Sequence, residues 1–265
     1  MKHVRIFALV LLSLFLALTS NAQVKKTAIA KKSVTTRKKT AVKKAVKPVP
    51  VVKAVPVVKV VPVVKPTLVL SARTRIKIAT DSGIIIVKLY DTTPLHRDNF
   101  VKLVASGFYD SLMFHRVIPE FMIQGGDPLS KNAAAGIMLG NGGGEMSRIP
   151  AEFRQTLRHK RGVLAAARDG NPEKASSAAQ FYIVQGKKLT DEELNMIESN
   201  KGIKYTPEER AIYKTAGGTP FLDMEYTVFG EIESGIEVVN KIAAVQRDAN
   251  NRPLGDVRMR MEIIK

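Results

Sequence analysis

Residues 113–127 read MFHRVIPEFMIQGGD. An arginine, a histidine and a glutamine stand here among bulky apolar side chains, and the stretch closes on a glycine pair and an aspartate. It contains no nucleophile beside a base, no metal cluster and no phosphate cradle. The rest of the chain supplies none either. The histidines are His3, His96, His115 and His159, and none pairs with another His or Cys at zinc-site spacing, so no metal is expected. With no cysteine, disulfides, thiolate chemistry and a lipid anchor on cysteine are excluded. GNGGGE at 140–145 is not followed by the Gly-Lys-Ser/Thr of a phosphate loop, and no Gly-x-Ser-x-Gly occurs. KTAGG at 214–218 lacks the Ser-x-x-Lys that a penicillin-binding enzyme needs. What remains is this opening stretch and a few later pieces of the chain.

The elements that must position these residues begin near residue 70. TRIKIAT (74–80) and GIIIVKLY (83–90) are β-rich runs joined by Asp-Ser-Gly, which suits a hairpin. The next stretch predicts a helix capped by Thr93, with Pro94 in its first turn, Phe100, Leu103 and Val104 as its apolar stripe, and Gly107 as its end. RGVLAAAR, QFYIVQG, YTVFGEI and DVRMRMEIIK read as short strands, the last with Val257, Met259, Met261 and Ile263 alternating with polar residues. A second apolar-striped helix spans 235–243. The expected fold is mainly β: a closed antiparallel barrel of about eight strands capped by two α-helices. Residues 187–220 interrupt it as a helical insertion. One of its helices has a Thr cap with Glu three residues on, and the other has Pro in its first turn.

The net charge of +18 is localised. Residues 1–66 hold 15 of the 42 basic residues and no acid, which leaves 27 basic against 24 acidic residues in 67–265. Residues 1–22 read as a secretory signal: Lys2 and Arg5, an apolar run from Ile6 to Leu18, then small residues at Ser20 and Ala22. The run is short for a membrane span. A cut after Ala22 places the mature chain in the periplasm or the medium, without a transmembrane span. Residues 23–66 are a low-complexity linker rich in Lys, Val and Pro, with Pro-Val-Val-Lys at 50–53, 56–59 and 62–65. In polyproline II a period of six sets Lys53, Lys59 and Lys65 on one edge. The linker reads first as a solvated spacer of on the order of 100 Å and second as a tether to an anionic envelope surface. Nucleic acid is not an expected partner.

Four ordered motifs carry a resemblance. FHRVIPEFMIQGGD (114–127), GVLAAAR (162–168), SSAAQFYI (176–183) and FLDMEYTVFGEI (221–232) together resemble the cyclophilins, peptidyl-prolyl cis-trans isomerases. The likeness spans 74–265 apart from the insertion, which makes 67–265 one domain. The resemblance implies an enzyme that needs no cofactor and acts on proline-containing peptides and on unfolded or exported proteins, assisting their folding. It implies Arg116 as the catalytic cation, with Gln124 orienting it or holding a substrate carbonyl. Phe121, Met122, Tyr182 and Leu222 line a proline seat, and Phe221 and Tyr226 are further substrate-binding positions. The backbone of Ala167 and Arg168 pairs with an extended peptide, and Gln180 flanks that groove. By residue type alone, Phe121, Met122 and Leu222 read as core, Arg116 as an ion-pair partner and His115 as a structural histidine.

Some positions depart from the family pattern. Phe221 stands where many members have Trp, which implies weak sensitivity to cyclosporin. Tyr226 replaces a common His and Ala166 a common Met. Arg168 replaces a common Asn and adds a charge that suits acidic substrates. Two other classes stay open: a peptide-binding chaperone without turnover, and an envelope scaffold whose linker does the main work. The chain is read as a monomer.

Overall fold

The computed structural model describes residues 74–264. The expected signal, the linker and its Pro-Val-Val-Lys repeats lie outside the described residues.

Eight strands form one antiparallel sheet: β1 (Arg75–Thr80), β2 (Gly83–Leu89), β3 (Phe114–Ile118), β4 (Met122–Gly125), β5 (Val163–Ala166), β6 (Phe181–Val184), β7 (Val228–Ser234) and β8 (Met259–Ile264). Their order is β3-β4-β6-β5-β7-β2-β1-β8. The first hairpin forms as expected, with Thr80 opposite Gly83. Helices α1 (Pro94–Ala105) and α4 (Ile236–Ala243) pack on the sheet, and α2 (Asp191–Lys201) and α3 (Pro207–Thr215) lie between β6 and β7, in the stretch expected to be an insertion.

The sheet curls around its core, but the expected barrel closure is not a ladder. Among the described residues β3 and β8 meet only through their approaches, by one bridge between Met113 and Arg258 and by hydrogen bonds of 111–114 with 257–259. Further along β3, the Val117 N–H donates to Asn251 O, so a loop takes the position a closing strand would fill.

Strand alternation sorts side chains to two faces. From β6, Phe181 and Ile183 enter the main core while Tyr182 and Val184 face a second apolar cluster. From β5, Leu164 and Ala166 go inward while Val163 and Ala165 go outward. The main core centres on Phe100, whose ring lies 5.5 Å from Phe181 and 5.3 Å from Phe229, both edge-on. The second cluster packs Phe121, Leu222 and Tyr226 against Met122 and Tyr182, on the sheet face opposite the main core.

The helix ends divide into local and distant solutions. Both insertion helices have complete capping boxes, Thr190 with Glu193 and Thr206 with Glu209. Gly107 ends α1 with φ +69°. Thr93 does not cap α1: its side chain makes no cap hydrogen bond. The carboxylate of Glu152 instead accepts from Leu95 N–H at 3.2 Å and His96 N–H at 3.0 Å. An anion at a helix N-terminus meets both the unpaired donors and the helix dipole.

Candidate active site

Arg116 and Gln124 face each other in register on β3 and β4. Arg116 Nη1 donates to Gln124 Oε1 at 3.2 Å, and Gln124 Nε2 donates to Gln180 Oε1 at 3.0 Å. Gln180 Nε2 donates in turn to the carbonyls of Gly140 (2.8 Å) and Gly142 (2.9 Å). These glycines belong to the GNGGGE run, whose carbonyls thus accept side-chain donors. The loop is anchored on buried Asp127, which accepts from the N–H groups of Gly140 and Gly142. A Cβ at Gly142 would lie 2.0 Å from Asp127 Oδ1, and one at Gly126 would lie 2.2 Å from Ala179 O. These close approaches account for Gly126 and Asp127 at the end of the opening stretch.

The Arg116 guanidinium is half-buried, and burial draws its pKa below the ordinary arginine value. Among the described residues no carboxylate forms an ion pair with it. The ion-pair reading of Arg116 is therefore replaced by a cation held by an amide chain, with its charge uncompensated.

A cleft of about 100 Å³ opens beside it, lined by Arg116, Phe121, Met122, Gln124, Ala167, Arg168, Tyr182, Leu222 and Tyr226. Nine of the eleven residues expected from sequence thus meet at one place. Gln180 lines an adjoining cleft of about 370 Å³ that shares Gln124, Ala167 and Arg168 with the first. Phe221 lines neither: it is 51% exposed, and its ring lies 5.6 Å from that of Phe121 at the rim.

Three details revise the expectations for individual residues. The Ala167 N–H donates to Gln180 O and its carbonyl accepts from Ser177 N–H, so its backbone is already used. The Arg168 backbone makes no hydrogen bond among the described residues, which leaves that residue as the available edge. The Arg168 guanidinium lies over the Tyr226 ring at 4.7 Å and pairs with Glu225, donating to its carbonyl at 2.9 Å. Glu225 also pairs with Lys174 at 2.8 Å and Lys201 at 3.7 Å, so one carboxylate is shared among three cations.

Residues that sequence reading did not assign complete the site. Tyr182 bonds through its hydroxyl to His159 Nε2 at 2.9 Å, and His159 Nδ1 bonds to Asp223 Oδ1 at 2.9 Å. Burial pushes the Tyr182 hydroxyl well above its ordinary pKa. Burial opposes ionisation of Asp223, yet the hydrogen bonds of His159 and Tyr213 hold it below the usual carboxylate value. Asp223 lies within the FLDMEY motif, but nothing in the spacing linked it to His159. Among the described residues no group of three or more His, Asp or Glu is placed to hold a metal, and no helix is long and apolar enough to cross a membrane.

Comparison with known proteins agrees with this geometry. The family "Cyclophilin type peptidyl-prolyl cis-trans isomerase/CLD" matches residues 75–262. A Staphylococcus haemolyticus protein provisionally named a peptidyl-prolyl cis-trans isomerase is 34% identical over 186 residues, covering 69% of this chain and 87% of the relative. A Streptococcus pyogenes relative, provisionally named a bifunctional phosphatase/peptidyl-prolyl cis-trans isomerase, is 36% identical over 197 residues, 72% of this chain, which spans 39% of the relative's length. The crystal structure of a Cryptosporidium parvum cyclophilin type peptidyl-prolyl cis-trans isomerase matches with a TM-score of 0.53 and 23% identity, covering 73% of this chain and 98% of that one. A second structure of the same protein, in the presence of the dipeptide Ala-Pro, matches with a TM-score of 0.52. At this identity the structural likeness shows the fold. Together with the family match and the staphylococcal relative, it leads to one conclusion: this chain belongs to the cyclophilin-type peptidyl-prolyl cis-trans isomerases.

Proposed function

We propose that the cleft beside Arg116 seats the proline ring of an X–Pro substrate and that Arg116 drives its isomerisation. The observation that carries this reading is an uncompensated cation held over an apolar seat by the Gln124–Gln180 amide chain. Amide resonance sets the barrier at about 18–20 kcal/mol, and spontaneous exchange takes roughly tens to hundreds of seconds. In the twisted amide the prolyl nitrogen regains its lone pair. A fixed cationic donor aimed at that nitrogen stabilises the twisted state more than either planar one. No proton changes hands and no bond is broken. Each ~1.4 kcal/mol of such preference speeds exchange about tenfold.

Gln124 serves chiefly to orient Arg116, because both ends of its amide are already engaged. The flanking peptide runs along the wider cleft, with the free backbone of Arg168 as its pairing edge. The Cryptosporidium neighbour, studied with Ala-Pro, supports the choice of ligand. The test is exchange of a short X–Pro peptide followed by NMR with the purified protein. Catalysed exchange is expected; binding with no acceleration would select the peptide-binding chaperone instead.

The proposal extends to the whole chain. Residues 1–22 direct export, 23–66 are a basic spacer, and 67–265 are a monomeric isomerase that assists folding of exported proteins. The charge distribution and the small residues before Gln23 support this. Fractionation of cells making the full chain should yield a product beginning at Gln23 outside the cytoplasm. An intact Met1 terminus in the cytoplasm would refute it.

A further inference from the structure

The insertion 187–220 lines neither cleft. It has a small core of its own, Leu189, Leu194, Tyr205 and Tyr213. The two tyrosine hydroxyls point out of that core onto one atom: Asp223 Oδ2 accepts from Tyr205 at 2.9 Å and from Tyr213 at 2.7 Å. The other oxygen, Oδ1, accepts from the His159 backbone N–H at 2.7 Å and meets His159 Nδ1 at 2.9 Å. Asp223 and His159 are fully buried.

The donor directions follow from chemistry. An ionised carboxylate only accepts, so His159 Nδ1 carries its proton. His159 Nε2 meets the Tyr182 hydroxyl at 2.9 Å. The chain of bonds ends on the ring that floors the Arg116 cleft. A second path reaches the same seat. The single Tyr205 hydroxyl proton, given to Asp223, is shared with Pro220 O at 3.2 Å, and Lys201 Nζ donates to Phe221 O at 3.1 Å, which holds the turn that carries Leu222.

We propose that the insertion is a buttress for the proline seat: Tyr205 and Tyr213 are positioning residues that act through Asp223 and His159 on Tyr182. This rests on the reading of the Arg116 cleft as the seat. A seat held in one shape binds substrate and transition state alike, so loosening it raises KM and leaves kcat nearly unchanged.

The test is a double-mutant cycle in the full chain between the pair Tyr205→Phe/Tyr213→Phe and Tyr182→Phe. The readouts are KM and kcat for X–Pro exchange, peptide Kd by NMR titration, and Tm. The tyrosine pair should raise KM and Kd about tenfold and change kcat less than about twofold. In the Tyr182→Phe background, where the last link is gone, the same pair should add less than about twofold. A lowered Tm with unchanged Kd, or a full additional effect in that background, would overturn the proposal. If the pair fails to fold, each single variant leaves Asp223 Oδ2 one tyrosine donor and carries the same comparison at about threefold. If the wild-type protein binds peptide without accelerating exchange, the isomerase reading fails while Kd still decides this one. Absence of peptide binding by the wild-type protein overturns both.

Discussion

Arg116→Ala should lower kcat/KM for X–Pro exchange by about 10²–10³, the usual effect of removing a preorganised donor from a developing charge. The loss should fall mainly on kcat, because the interaction strengthens only as the amide twists. Stability should change little: the guanidinium is half-buried, has no ion-pair partner among the described residues and makes one hydrogen bond, to Gln124. Arg116→Lys should recover only part of the rate. An ammonium keeps the charge but lacks the planar fork that lets one nitrogen hold Gln124 while another faces the substrate. Peptide Kd should stay within about threefold in both variants, since the apolar seat is untouched. An Arg116→Ala protein that retains more than a third of wild-type kcat/KM would remove Arg116 from the mechanism.

Acid should destabilise this protein by protonating buried imidazole on unfolding. His115 is 3% exposed, and burial pulls its pKa down from 6.5 to about 4, with Asp127 only partly opposing this. In the unfolded chain the imidazole takes up a proton as pH falls below 6.5; in the folded chain it stays neutral to about 4. The unfolded state binds more protons across that window, so stability is highest above pH 6.5 and falls as the pH drops toward 4. The cost approaches roughly 3 kcal/mol for this residue alone. His96 contributes in the same direction, since burial lowers its pKa despite the bond to Glu152 at 2.7 Å. Urea unfolding at pH 7 and pH 4.5 should show the loss. His115→Gln should flatten the profile by about the His115 share, because carboxylate contributions cancel between the two proteins. Equal pH slopes in the two proteins would show that His115 titrates normally in the fold.

Sequence by itself determined whatever acts over a few residues. The two-residue period of a strand put neighbours in VLAA and FYIV on opposite sides of the sheet, but both sets are apolar and buried, so which side is the main core was left to packing. Thr190 with Glu193 and Thr206 with Glu209 started their helices because each box closes within a single turn. The ordered motifs named Arg116, Gln124 and the apolar residues of the seat, and the fold brought them together.

Tertiary structure decided the partners that lie far along the chain. Thr93 looked like the cap of α1, but Glu152, more than fifty residues away, carries a charge that outcompetes a hydroxyl at a helix N-terminus. Arg168 looked like a free cation until Glu225 and the Tyr226 ring were placed against it. Of two adjacent backbone positions, only Arg168 kept its edge, because Gln180 and Ser177 had already claimed Ala167. Barrel closure ended in loop contacts where strand patterns alone suggested a ladder. His159, Asp223 and the insertion's tyrosines carried no motif that joined them. A buried carboxylate must collect donors from wherever the packed chain brings them, and periodicity does not encode which distant residues those will be.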